Sequence, residues 1–266
     1  MQYSYGIYCE SIVDIEKVKI PENIENKVYE VMRIIDGKVL YFEEHMNRME
    51  ASIRFYNPGF IIDREKIIQL IRDLLNHTKA SDNNIRIEGY LDNNKCHLIG
   101  FIVKGIYPDA KMYENGVCAK TLEYARKDPS VKYINHDYKE FVDGFIEKEK
   151  IYEALLFHEG KITEGSRSNV FFIKGNEVYS ADSSEVLAGI TRAKLVETLM
   201  NMGIDIIEKD ILKKDIDSYD AVFLTGTSIH VLPINKIDDI KYDIENKLLR
   251  KIMKAFEQTI LNYLTI

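Results

Sequence analysis

The densest group of reactive and close-approach residues in the chain is Thr163-Glu164-Gly165-Ser166-Arg167-Ser168-Asn169-Val170-Phe171. A loop of small polar residues there runs into an apolar strand, which brings a carboxylate and backbone amides toward one point. Taken alone, the same stretch also reads as a surface hairpin with a solvated glutamate. Two further segments bear on the choice. Leu187-Ala188-Gly189-Ile190-Thr191-Arg192 puts a glycine, over which backbone can approach a ligand, where a helix begins, and free amides at a helix start attract an anion. Thr225-Gly226-Thr227-Ser228 closes the apolar run Ala221-Val222-Phe223-Leu224 with hydroxyls and a glycine, groups suited to phosphate oxygens.

The elements that must position these segments follow from turn chemistry and periodicity. Asp36-Gly37, a pair that accepts the positive φ values of a tight hairpin, separates a strand over Val28 to Ile35 from one over Lys38 to Phe42. Met46, Met49 and Ile53 give helical spacing from Glu43 to Tyr56, and Asn57-Pro58-Gly59 ends that helix. Asp63 caps a second helix whose stripe of Ile67, Ile71, Leu74 and Leu75 is expected to pack on the strands. Strands follow near Ile85 to Leu91 and Cys96 to Val103, and a domain boundary is expected between Gly105 and Asn115. Beyond it, helix and strand alternate. Helices are predicted over Tyr138 to Lys150, Thr191 to Met202 and Ile244 to Tyr263, with Gly203 stopping the second. Strands are predicted at Ala154 to His158, Lys161 to Thr163, Val170 to Lys174, Glu177 to Ser180, Ile204 to Glu208 and Ala221 to Thr225, with hairpins at Glu159-Gly160 and Gly175-Asn176.

A length of 266 residues with 45% hydrophobic residues suffices for one large core or two modest ones, and two are expected. The net charge of −7, with no Lys/Arg run, argues against nucleic acid as a partner. No stretch approaches a membrane span and Met1-Gln2-Tyr3-Ser4-Tyr5-Gly6 is no signal peptide, so a cytoplasmic protein without a membrane partner is expected. Cys9, Cys96 and Cys118 show neither disulfide rhythm nor metal-ligand spacing, so no metal site is expected.

Taken in order, six segments resemble the fold-type IV pyridoxal-phosphate enzymes, which include branched-chain and D-amino-acid aminotransferases and aminodeoxychorismate lyase. They are Val28-Tyr29-Glu30, Glu44-His45-Met46-Asn47-Arg48, Val131-Lys132-Tyr133-Ile134-Asn135, Glu164 to Phe171, Leu187 to Arg192, and Phe223 to Pro233. The resemblance implies an α+β domain over residues 1–108 and an α/β pseudo-barrel domain over 109–266, with pyridoxal 5'-phosphate in the cleft between them. It also implies a homodimer acting on an amino acid and a 2-oxo acid.

By the same resemblance, Lys132 is the catalytic lysine that forms a Schiff base with the cofactor, since an amine whose pKa is lowered by partial burial serves first as nucleophile and then as base. Glu164 pairs with the pyridine nitrogen. Arg48 contacts the phosphate, although its spacing also fits an exposed pair with Glu44; His45 is expected to pack helix on strand. Gly189 lets the backbone approach the cofactor, the amides of Ile190, Thr191, Gly226 and Thr227 and the Thr191 hydroxyl complete the phosphate cup, and Leu187 packs on the ring or simply in the core. Tyr29 lies near the reacting atoms or is an ordinary strand aromatic. Departures from relatives leave the substrate open: Ile24-Glu25-Asn26-Lys27 replaces a Gly-Asp-Gly-like turn, and Ile87-Glu88-Gly89 stands where a carboxylate-binding arginine is found, with Arg86 out of phase. Nor does Tyr133-Ile134-Asn135-His136-Asp137 match the glycine pair and tyrosine of branched-chain enzymes. Transamination is the expected reaction, pyruvate elimination by an aminodeoxychorismate lyase is the alternative, and a non-catalytic relative that only holds the cofactor or a partner is the rival of another class.

Overall fold

A computed structural model describes residues 4–18, 27–92, 95–105, 107–126, 131–132 and 135–265, without the side chains of 91, 92, 95 and 96. Tyr133 and Ile134 of the lysine segment, most of the departure before Tyr29, and the Cys96 side chain thus lie outside the described residues. The chain divides into two units, one of Met1–Ile106 with Val131–Ile134 and one of Tyr107–Ser130 with Asn135–Ile266. The first break follows Ile106, and a short later stretch, the one carrying Lys132, returns to the first unit.

The first unit contains β1 (Tyr5–Tyr8), β2 (Ser11–Asp14), β3 (Val28–Ile35), β4 (Lys38–Val39), α1 (Phe42–Arg54), α2 (Arg64–Thr78), β5 (Asn84–Asp92) and β6 (Lys95–Val103). The strands form one antiparallel sheet in the order β2-β1-β6-β5-β3-β4. β3 alternates strictly, with Val28, Glu30, Met32 and Ile34 buried and Tyr29, Val31, Arg33 and Ile35 half-buried on the other face. Met46, Met49 and Ile53 of α1 and Ile67, Ile71, Leu74 and Leu75 of α2 fill the core with that buried face, as their spacing predicts. Burying each such side chain stabilises by roughly 1.5–3 kcal/mol. Asp36 (φ 49°) and Gly37 (φ 76°) make the expected hairpin. The strand after it is shorter than predicted, because Tyr41 at φ 54° turns the chain into α1. The Asp63 carboxylate accepts a hydrogen bond from Lys66 N at 3.0 Å and so caps α2.

The second unit contains α3 (Ala110–Asn115), β7 (Val117–Glu123), α4 (His136–Glu149), β8 (Glu153–His158), β9 (Lys161–Gly165), β10 (Asn169–Lys174), β11 (Glu177–Ser180), α5 (Ile190–Asn201), β12 (Ile206–Glu208), β13 (Ile211–Leu212), β14 (Ala221–Gly226), β15 (His230–Ile237), β16 (Ile240–Lys241) and α6 (Lys247–Thr265). The strands join in one mixed sheet ordered β12-β11-β10-β14-β15-β7-β8-β9-β13, with β16 on β15. β15 is central yet was not predicted, because Pro233 in its middle lacks a ladder donor and reads against an interior strand. No helix of the described residues is long and apolar enough to cross a membrane.

Candidate active site

In the second unit the site starts from Glu164, buried at the end of β9. One carboxylate oxygen accepts from Arg126 Nη1 at 2.7 Å; the other accepts from the Leu187 amide at 3.1 Å and from Asn169 Nδ2 at 3.4 Å. A guanidinium and amide donors around a carboxylate favour its charged form. The loop after Glu164 is fixed by a second buried carboxylate, Glu153, which accepts from the hydroxyls of Ser166 and, at 2.8 Å, Ser168. Gly165 is required there, since a Cβ would lie 2.2 Å from Ser168 Oγ. The Tyr138 hydroxyl donates to the Ser166 carbonyl at 3.0 Å. Burial pushes its pKa well up, against the nearby positive charge of Arg126 and with the negative charges of Glu153 and Glu164.

Asn169 links this carboxylate to the two predicted anion-binding segments. Its amide also donates to the Leu187 carbonyl at 3.2 Å, and its backbone stands opposite Thr225 in the β10/β14 ladder. Gly189 makes room for the same side chain, because a Cβ there would lie 2.3 Å from Asn169 Oδ1. The glycine foreseen as opening the backbone to a ligand is thus demanded first by a neighbour within the protein. α5 begins directly after it with no side-chain cap, so the amides of its first turn, at Ile190 and Thr191, are left to another acceptor. Thr225 Oγ1 is buried and has no hydrogen-bond partner among the described residues. An orphaned hydroxyl beside Gly226 and an uncapped helix start, tied together by Asn169, form a donor set that fits a phosphate. Glu164, Leu187, Gly189, Ile190, Thr191 and Gly226 are thereby brought together. Thr227 follows Gly226 in the turn before β15.

In the first unit, the Tyr29 amide donates to the Lys132 carbonyl at 3.0 Å, which pins the lysine's backbone to the edge of β3. Lys132 Nζ lies 4.9 Å from the centre of the Tyr29 ring, so the two residues expected beside the reacting atoms are neighbours. Arg48 reaches to the neighbouring strand, where Nε and Nη2 contact the Glu30 carboxylate at 2.7 and 2.6 Å. His45 Nδ1 lies 2.7 Å from the same carboxylate and donates to it, so His45 ties helix to strand by a polar contact. Burial alone would raise the Glu30 pKa; the Arg48 charge and hydrogen bond, then His45, override it and hold it at about 2. Burial lowers the His45 pKa below its ordinary value, Glu30 opposes this, and the charges of Arg48 and Lys132 lower it further.

Glu30, Arg126, Tyr138, Glu153 and Asn169 received no role from the sequence. Glu30 had a usable signal: a charge at a buried position of a strictly alternating strand needs a partner, and His45 and Arg48 lie one helical turn apart. Arg126 had none, being one of many arginines in a stretch without periodicity.

The sequence model of the family described as Amino-transferase class IV matches residues 27–237. The chain is 25% identical to the D-alanine aminotransferase of Bacillus licheniformis over 252 residues, 88% of each protein. It is 26% identical to a D-alanine aminotransferase of Listeria monocytogenes over 234 residues, 80% of this chain and 79% of the relative. Among solved structures, branched-chain amino acid aminotransferase from Escherichia coli superposes with a TM-score of 0.85 at 20% identity, covering 97% of this chain and 94% of that one. The branched-chain aminotransferase from Thermoproteus uzoniensis gives 0.82 at 20% identity over 97% and 95%. These likenesses establish the fold that the resemblance implied. With the family model spanning most of the length, the chain belongs to the class IV aminotransferases, enzymes of amino-group transfer.

Proposed function

We propose that this chain transfers an amino group between an amino acid and a 2-oxo acid with pyridoxal 5'-phosphate as cofactor and Lys132 as its covalent anchor and proton carrier. The observation that carries the reading is the convergence on Asn169 of the Glu164 carboxylate, the uncapped start of α5 and the orphaned Thr225 hydroxyl. When bound, the cofactor supplies an aldehyde to capture the amine and a protonated ring to draw electron density from the substrate Cα. Glu164 keeps a negative charge at the pyridine nitrogen, and Arg126, Asn169 and the Leu187 amide keep Glu164 ionised and aimed. The amides of Ile190, Thr191, Gly226 and Thr227, with the hydroxyls of Thr191 and Thr225, hold the phosphate, and Arg48 adds positive charge while Glu30 fixes its guanidinium. Once displaced by substrate, Lys132 Nζ would take the proton from the substrate Cα and hand it on to the cofactor carbon that bears the nitrogen, the shift that exchanges amine for oxo group. Tyr29 shapes the lysine's surroundings. The same reading makes the enzyme cytoplasmic and homodimeric, in keeping with the family resemblance.

The absorbance spectrum of purified protein, wild type against Lys132→Ala, tests the cofactor and its anchor. A yellow wild type and a variant without the lysine-linked band are expected; a wild type that stays colourless with excess cofactor would overturn the proposal. The names of the relatives make D-alanine and branched-chain amino acids the first donors to assay. Release of pyruvate without amine transfer would replace transamination by elimination.

A further inference from the structure

Resting on that reading, one feature of the first unit bears on the substrate. Arg86 and Glu88 stand two residues apart on β5 and so point to the same face of the sheet, and Glu88 is directly opposite Tyr29 in the β3/β5 ladder. Arg86 Cζ lies 4.3 Å from the centre of the Tyr29 ring, the ring that Lys132 Nζ approaches to 4.9 Å. Arg86 Nε donates to Glu88 Oε1 at 2.6 Å, and both side chains are largely covered, 24% and 14% exposed. The guanidinium is therefore fixed twice, by stacking on the ring and by its Nε edge. Its two terminal nitrogens make no hydrogen bond among the described residues, nor does the second oxygen of Glu88.

We propose that Arg86 and Glu88 form a subsite for the substrate side chain, and that the side chain it takes is a primary carboxamide. The pair offers donors and an acceptor side by side and carries no net charge. A carboxamide oxygen accepts from the Arg86 terminal nitrogens while its NH2 donates to Glu88 Oε2, which matches donor to acceptor at both ends of the pair. A carboxylate in the same place satisfies Arg86 but meets Glu88 with like charge and no proton to share. An aliphatic side chain leaves both polar edges covered and unmatched.

The test compares glutaramate, with one carboxylate and one carboxamide, against glutarate, with two carboxylates; neither has an amine, so neither reacts. Titration calorimetry on the cofactor-loaded enzyme is expected to give at least about tenfold tighter binding of glutaramate at neutral pH. Glu88→Gln is expected to shrink that preference to about threefold or invert it, and to lower the ratio of kcat/KM for glutamine over glutamate by a similar factor. Equal binding, tighter glutarate binding, or a preference untouched in Glu88→Gln overturns the subsite. If the variant does not fold, the wild-type comparison decides alone. A yellow, transaminating enzyme without the preference sinks only this inference, whereas a colourless one strikes the cofactor reading, and the two failures are told apart.

Discussion

Glu30 carries a full charge at a position the strand pattern reserves for apolar side chains, and its environment has consequences at acid pH. Held at about 2 against an ordinary 4.5, the carboxylate contributes stability that is complete above its unfolded value and is lost as pH falls toward 2, roughly 3 kcal/mol in all. His45 acts in the same direction: kept neutral by burial, it opposes folding once the unfolded chain begins to take up a proton below about 6.5. The melting temperature is therefore expected to fall steadily between pH 7 and 3, with Glu30→Gln showing a flatter acid limb. That variant takes the buried carboxylate away from both Arg48 and His45, and a loss of about 3–5 kcal/mol is expected in denaturant unfolding at neutral pH. A second residue-scale expectation concerns Thr225: replacement by valine keeps the shape, removes the orphaned hydroxyl, and is expected to weaken cofactor retention about tenfold in a dialysis assay while leaving the melt of the cofactor-free protein unchanged or raised.

Among elements, those with local signals were legible and those without were not. Asp36-Gly37 and Glu159-Gly160 supply positive φ at both positions, so the hairpins they make were readable from two letters each. The α1 and α2 stripes were readable because one face of each helix is apolar at helical spacing. β15 was hidden by Pro233, and β7, whose pairing with β15 and β8 is entirely long-range, gave no local cue. The candidate site divides the same way. Glu164 and the two loops stood out by composition, whereas Arg126 and Glu153, and Asn169 through its bond to the Leu187 carbonyl, owe their roles to partners distant in the chain that spacing cannot name. Asp63→Ala should cost about 1 kcal/mol by removing the α2 cap, measurable in chemical unfolding. Gly189→Ala forces a methyl against Asn169 and should cost about 1–3 kcal/mol while also lowering cofactor affinity, because the displaced amide loosens Glu164 and Leu187 together.

At the scale of the molecule, the chain leaves the first unit at Ile106, returns to it for Val131–Ile134 and leaves again. Val131 is buried in the first unit's core, and Lys132 supplies the carbonyl for the Tyr29 amide at the edge of β3. No single scission can therefore yield two intact halves. A fragment ending at Ile106 would keep its helices and sheet but lose an apolar plug and the acceptor for a strand edge, while the complementary fragment would carry those residues as a sticky, unhoused strip. Co-expressed, the pieces should recover soluble protein that neither gives alone; two soluble, cooperatively melting fragments from separate cultures would refute that expectation. Lys132 is thus stitched into a body other than the one on either side of it in the chain, and the part proposed for it begins only once the first unit has a core to receive Val131.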